Sequence, residues 1–249
     1  MITNDLILLF SEWLGVMAII LALRAFPSFQ FKAVDFIYKQ REGVVSLSLY
    51  AAMLLVSTVI VIGRDNFSLI PPQGVPQELW IRLIIGGIGL LAFGLSLLIR
   101  RQPLLSVGWN RKRLDLAVRL AVVLALLSVF LRGKAAVVIR GLTPVEATLL
   151  LVWLGIALAE ETIFRGFIQM RLNAWMGARY GWLATALLYV IWNVPFAMMI
   201  SPLALQPLLL RAFLVVAQSL VLGYLSQKTG HILPVFIYRA ISEWLFFMV

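Results

Sequence analysis

The chain has 249 residues, of which 62% are apolar and only 13% charged, about half the charged share of an ordinary soluble domain. That balance excludes a soluble globular enzyme, a disordered chain and a nucleic-acid-binding module. The formal charge of +10 comes from 21 Lys and Arg against 11 Asp and Glu; these basic residues mostly flank apolar runs, where they read as topology and lipid-headgroup signals.

A membrane-spanning helix needs about 20 apolar residues. In chain order the predicted spans are Leu6–Leu23, Val44–Ile62, Trp80–Ile99, Leu116–Leu131, Val145–Met170, Trp182–Met199, Leu208–Ser226 and Ile232–Met248. The first lacks a basic leader and a small-residue cleavage site, so it reads as a retained span. Barrel strands would alternate in polarity at every second residue, and these runs do not. The expected fold is therefore an all-α, polytopic transmembrane helical bundle of about eight spans, with no sizeable soluble domain beside it.

The connections carry turn chemistry and charge. Pro71, Pro72, Gly74 and Pro76 mark the clearest loop. The stretch from Phe29 to Gly43 mixes Phe31, Phe36, Ile37 and Tyr38 with Lys32, Lys39 and Arg41, and reads as an interfacial amphipathic segment. Alternate connections split the Lys and Arg residues twelve against four, which puts the richer set in the cytoplasm and both termini outside.

An ionisable group at mid-bilayer costs ~2.5–3.5 kcal/mol or more, so each one asks for a reason. Glu12, Arg82, Arg119 and Arg211 lie toward span ends and are expected to snorkel. The second half of the chain is different. Its fifth span holds Glu160, Glu161 and Arg165, its sixth Asn193, and its eighth Arg239 and Glu243. Glu161 and Arg165 are spaced i,i+4 and can pair, as can Arg239 and Glu243. Glu160 is rotated about 100° from Glu161 and has no charge partner on its own helix. It must find one on another helix, bind water, or stay protonated, and those are the conditions under which a Glu becomes a general base. A buried ion-pair network that fixes helix register is the competing reading.

The run Glu160-Glu161-Thr162-Ile163-Phe164-Arg165-Gly166 resembles the EExxxR motif of the CPBP (Abi) family, which includes the type II CAAX prenyl proteases. Leu105-Ser106-Val107-Gly108-Trp109, followed by a basic run and a span, is similar to the stretch that leads into that family's core. The resemblance covers about residues 100–249 and leaves 1–99 as an N-terminal three-span extension. It implies an intramembrane glutamic endopeptidase in which Glu160 works with a His on a later helix to activate water, supported by Glu161 and Arg165. The family's FxxxH motif falls on Tyr189-Val190-Ile191-Trp192-Asn193, and its HxxxN motif on Arg239 and Glu243, so both motif histidines are replaced. An Asn amide orients water but cannot take its proton, and a guanidinium cannot ligate a metal, although Arg239 could stabilise an oxyanion.

Two readings follow. In the first, the chain is a CAAX-protease-like peptidase acting on membrane-tethered, hydrophobic or prenylated peptides, with activity reduced or lost. In the second, it is a non-catalytic membrane subunit that binds a lipid, an isoprenoid or a membrane-protein partner. A secondary transporter, with Pro195 breaking a helix after Asn193, is weaker because no half-repeat is visible. No cofactor and no metal site is expected, and the absence of Cys removes thiolate ligands and nucleophiles. The only histidine, His231, reads as a surface-loop residue at a span end. The expected setting is a bacterial plasma membrane.

Overall fold

The computed structural model describes residues 2–23, 34–64, 66, 69–200 and 205–248, with side chains at all of these except 2–6, 200 and 205–208. The helices are α1 (Ile2–Leu23), α2 (Lys39–Ile62), α3 (Gln77–Ile99), α4 (Leu114–Leu131), the short α5 (Ala135–Ile139), α6 (Pro144–Glu161), α7 (Gln169–Met176), α8 (Ala178–Ile200), α9 (Leu205–Thr229) and α10 (Leu233–Phe246). A π-helical turn, Thr162–Ile168, joins α6 to α7, so Pro144–Met176 is one 33-residue rod. The eight expected spans thus appear as eight long rods. Among the described residues six are long and apolar enough to cross a membrane, and Ile7–Leu23 is a shorter apolar helix. With 14 residues, α10 is about 21 Å long, less than the hydrocarbon thickness of about 30 Å. It packs against α4, α6 and α9, so protein rather than lipid surrounds much of it.

Local chemistry sets the helix ends. Thr143 and Glu146 form a reciprocal capping box around Pro144 at the start of α6, which satisfies donors that a helix N-terminus leaves open. Gly177, at φ +87°, reverses the chain between α7 and α8, a backbone shape that costs only glycine little. Pro195 lies inside α8, which runs on unbroken to Ile200, so the helix break that a transporter reading needed is absent there. The expected amphipathic stretch over 29–43 falls partly on 24–33, outside the described residues, as do Arg24 and Lys32. Its remainder is a turn with Phe36 buried, followed by the start of α2.

The perimeter is apolar. Leu55, Val59 and Ile62 on α2, Leu91, Leu95 and Leu98 on α3, and Val118, Val122, Leu126 and Phe130 on α4 are all exposed. A surface of this kind suits lipid, not water. Polar groups are instead buried inside. On α2 the inward stripe is Glu42, Ser46, Tyr50, Met53, Ser57 and Val61.

Each of the first three helices is tied to the rest by one buried charge. Glu12 of α1 accepts from Arg132 Nε at 2.6 Å and from Ser128 at 2.8 Å, and Arg132 also donates to Ser242 of α10 at 2.9 Å. Glu42 of α2 accepts from Arg171 at 3.1 Å, from Gln102 at 2.9 Å and from Arg100. Arg82 of α3 donates to Glu160 of α6. Glu12 and Arg82 were expected to snorkel from span ends. Both are buried and paired, because neighbouring helices close over them. Arg119 does lie on an exposed face, where it pairs with Asp115, and Arg211 is half-buried against a cavity.

Candidate functional site

The site lies where α6 gives way to the π-helical turn. Glu160 and Glu161 end α6 and are wholly buried. Opposite them, Tyr189, Trp192, Asn193 and Phe196 recur at i, i+3, i+4 and i+7, which puts all four on one face of α8. Arg82 comes from the first turns of α3 and Arg239 from the middle of α10.

Glu160 sits at the centre. Its Oε1 accepts from Arg82 Nε at 2.6 Å and from the indole of Trp192 at 3.2 Å. Its Oε2 accepts from Arg82 Nη2 at 2.9 Å, the Tyr189 hydroxyl at 2.8 Å and Arg239 Nη2 at 2.6 Å. Arg239 bridges both carboxylates, with Nη1 donating to Glu161 at 2.7 Å. Among the described residues no hydrogen bond joins Asn193 to Glu160. Its Oδ1 accepts from Arg82 Nη2 at 2.9 Å and its amide donates to the Tyr189 carbonyl at 2.7 Å. Arg165 lies 3.1 Å from Glu161 as an ion pair, with its guanidinium over the Tyr189 ring.

Five of the six expected site residues therefore come together: Glu160, Glu161, Arg165, Asn193 and Arg239. Glu243 lines the same cavity as Arg82, Asn193 and Arg239 but is bonded to none of them. Among the described residues no Arg239–Glu243 pair forms, and Glu243 accepts from Gln218 of α9 at 2.9 Å instead. The i,i+4 spacing permits that pair, but two carboxylates on α6 offer Arg239 a better one. Of the three options open to Glu160, the chain uses the first, partners on other helices.

Arg82 was missed as a site residue. A charge count over the later spans could have found it, since Glu160, Glu161 and Glu243 outnumber Arg165 and Arg239. Trp192 and the Tyr189 hydroxyl were also missed as donors, although they share the α8 face with Asn193. His231 is not a surface residue. It is 2% exposed, its Nδ1 accepts from the Leu233 amide at 3.0 Å, and it meets Trp109 edge-on. Burial pushes its pKa down from the usual value. Eight residues of chain separate it from Arg239, about 12 Å of helical rise, so it takes no part in the cluster.

A cavity of about 420 Å³ adjoins the cluster, and Arg82, Tyr189, Asn193, Arg211, Arg239 and Glu243 are among its polar lining residues. Trp13, Trp153, Phe196, Leu214 and Phe246 line its apolar walls. Glu160 is not among the lining residues; Arg82, Arg239 and Tyr189 stand between it and the opening. Among the described residues no three His, Cys, Asp or Glu side chains gather as a metal-ligand set.

Residues 143–245 match the family described as type II CAAX prenyl endopeptidase Rce1-like. This segment is similar to that family. No curated protein and no solved structure matches the chain. The matched segment runs from the cap of α6 into α10 and contains all six expected site residues. Arg82, which holds the central carboxylate Glu160, lies outside the matched segment.

Proposed function

We propose that this integral membrane protein keeps the Rce1-like fold as a binding subunit and does not perform the peptidase reaction. The supporting observation is the saturation of Glu160. A carboxylate has about four lone-pair sites, and five donor contacts from Arg82, Arg239, Tyr189 and Trp192 converge on them. A general base must reach the proton it takes, directly or through one water, and here the donors occupy that approach. Arg239 and Asn193 stand where the family resemblance places histidines, and neither can share a water's proton near neutral pH.

The cavity beside the cluster mixes charged and polar lining residues, such as Arg82, Arg211, Arg239 and Glu243, with aromatic and aliphatic ones, such as Trp13, Trp153, Phe196 and Leu214. That shape suits an amphiphile: a lipid, an isoprenoid chain or the hydrophobic segment of a membrane-protein partner. The orientation that follows from the loop charges puts the termini outside and this cavity, lined by the starts of α3 and α9, in the outer half of the bilayer.

The test is direct. The reconstituted protein is incubated with farnesylated and unmodified peptides beside Glu160→Ala, and cleavage is followed by mass spectrometry. The expected result is no cleavage above the blank from either protein. Cleavage by the native chain that disappears in Glu160→Ala would overturn the proposal. The double variant Asn193→His with Arg239→His, which supplies imidazoles and removes one guanidinium from Glu160, is the one expected to gain activity.

A further inference from the structure

Four arginines line the 420 Å³ cavity, and they are not in the same state. Arg82 and Arg239 are held by Glu160, and Arg132 by Glu12. Arg211 of α9 makes no ion pair and no hydrogen bond among the described residues. It is half-buried in a span, where an ionisable group without a partner is costly. Two carboxylates on the same cavity lack a cation as well. Glu78 of α3 makes no ion pair or hydrogen bond among the described residues, and Glu243 of α10 has only the Gln218 amide, on one oxygen.

These three groups share one space. The groups whose fields reach the Arg211 guanidinium are Arg82, Glu243, Glu78 and Tyr189, and all four line this cavity. Neither carboxylate comes within ion-pair distance of Arg211. All three are open to their surroundings: no nitrogen of Arg211, no oxygen of Glu78 and not the second oxygen of Glu243 is sealed inside packed protein. One cation and two carboxylates thus stand around a gap too wide for direct pairing. The space is worth about fourteen water volumes, room for a phosphate and a short amine. Phe246 and Phe247 also line it and are exposed, so its apolar side opens onto the perimeter.

We infer that the amphiphile this cavity takes has a zwitterionic headgroup, with its phosphate on Arg211 and its primary ammonium between Glu78 and Glu243. Phosphatidylethanolamine is the lipid of that chemistry. A guanidinium fork matches phosphate oxygens, and an ammonium carries three N–H donors, enough for two carboxylates. A purely anionic headgroup would satisfy Arg211 and leave both carboxylates without a cation. A purely cationic one would leave Arg211 alone. The inference rests on the reading of this cavity as an amphiphile site, and it is independent of whether Glu160 acts on a peptide.

The full chain in neutral detergent is titrated separately with phosphatidylethanolamine, phosphatidylglycerol and diacylglycerol of the same acyl chains. Native mass spectra and the unfolding temperature report binding. Phosphatidylethanolamine should bind about tenfold or more tightly than either of the others, as expected when hydrogen bonds to a charged group are lost. Arg211→Gln should weaken its binding by a similar factor. Glu78→Gln with Glu243→Gln should erase its advantage over phosphatidylglycerol; both variants leave the contacts of Glu160 intact. The inference fails if phosphatidylglycerol binds as well as phosphatidylethanolamine, or if either variant binds the three lipids like the native chain. Diacylglycerol binding as tightly as phosphatidylethanolamine would keep the amphiphile reading and sink only the headgroup assignment, whereas retention of none of the three would sink both.

Discussion

Replacing Arg82 with Met removes the side chain that clamps Glu160 from α3. Its Nε and Nη2 reach both oxygens of the carboxylate, and Nη2 also meets Tyr189 at 3.2 Å and Asn193 at 2.9 Å. Breaking a buried ion pair from one side typically costs about 3–5 kcal/mol, because it strands the other charge. Glu160 keeps Arg239, Tyr189 and Trp192, which places this variant at the lower end, about 3 kcal/mol. For a chain of this size each kcal/mol shifts the unfolding midpoint by about 2–4 °C, so the expected drop is roughly 6–12 °C in detergent. Glu160→Gln in the Arg82→Met background closes a double-mutant cycle. The double variant should be more stable than the two single effects added together, by about 0.5–3 kcal/mol. Strict additivity, or an Arg82→Met midpoint within a degree of the native chain, would refute the placement of Arg82 at the centre of the cluster.

Gly166→Ala should also lower the midpoint, by the equivalent of about 1–3 kcal/mol, since a Cβ there would lie 2.4 Å from the Val107 carbonyl oxygen; an unchanged midpoint would mean the π-helical turn does not press on that loop. His231 has a depressed pKa, so the unfolded chain binds its proton first. Stability is full above about pH 6.5, the unfolded value, and falls as pH drops toward the folded one; His231→Gln should flatten a melting series between pH 7.5 and 5, and an unaltered slope would count against its burial. The chain has no Cys, so single-Cys variants map topology cleanly. Arg101→Cys should react with an impermeant thiol reagent only from the cytoplasmic side, and the reverse result would invert the orientation.

The rods were legible because apolar runs and Pro- or Gly-bearing breaks are local signals. Glu160, Glu161 and Arg165 were legible for a similar reason, as charges in a run where lipid makes them costly. What the sequence could not show is which neighbour closes over a charge. Arg82 sits near the start of its span, where snorkelling is the local expectation, yet α6 and α8 cover it. Arg239 had a local partner in Glu243 at the right spacing, and the choice between that and a bridge to two carboxylates depends on how α10 lies against α6. His231 follows Gly230 at a helix start, a local mark of exposure, and only the packing of Trp109 against it says otherwise.

The three charge pairs that dock α1, α2 and α3 impose an order on biogenesis. Glu12 and Arg132 are 120 residues apart, Glu42 and Arg171 are 129, and Arg82 and Glu160 are 78. At about 5–20 residues per second, Arg82 waits some 4–16 s on the ribosome's clock before its counter-charge is even made. A lone guanidinium in hydrocarbon is costly throughout that wait. The nascent α3 must therefore linger beside the insertion machinery or ride high in the bilayer, and it settles to its final depth only when the helix that carries Glu160 arrives to neutralise it.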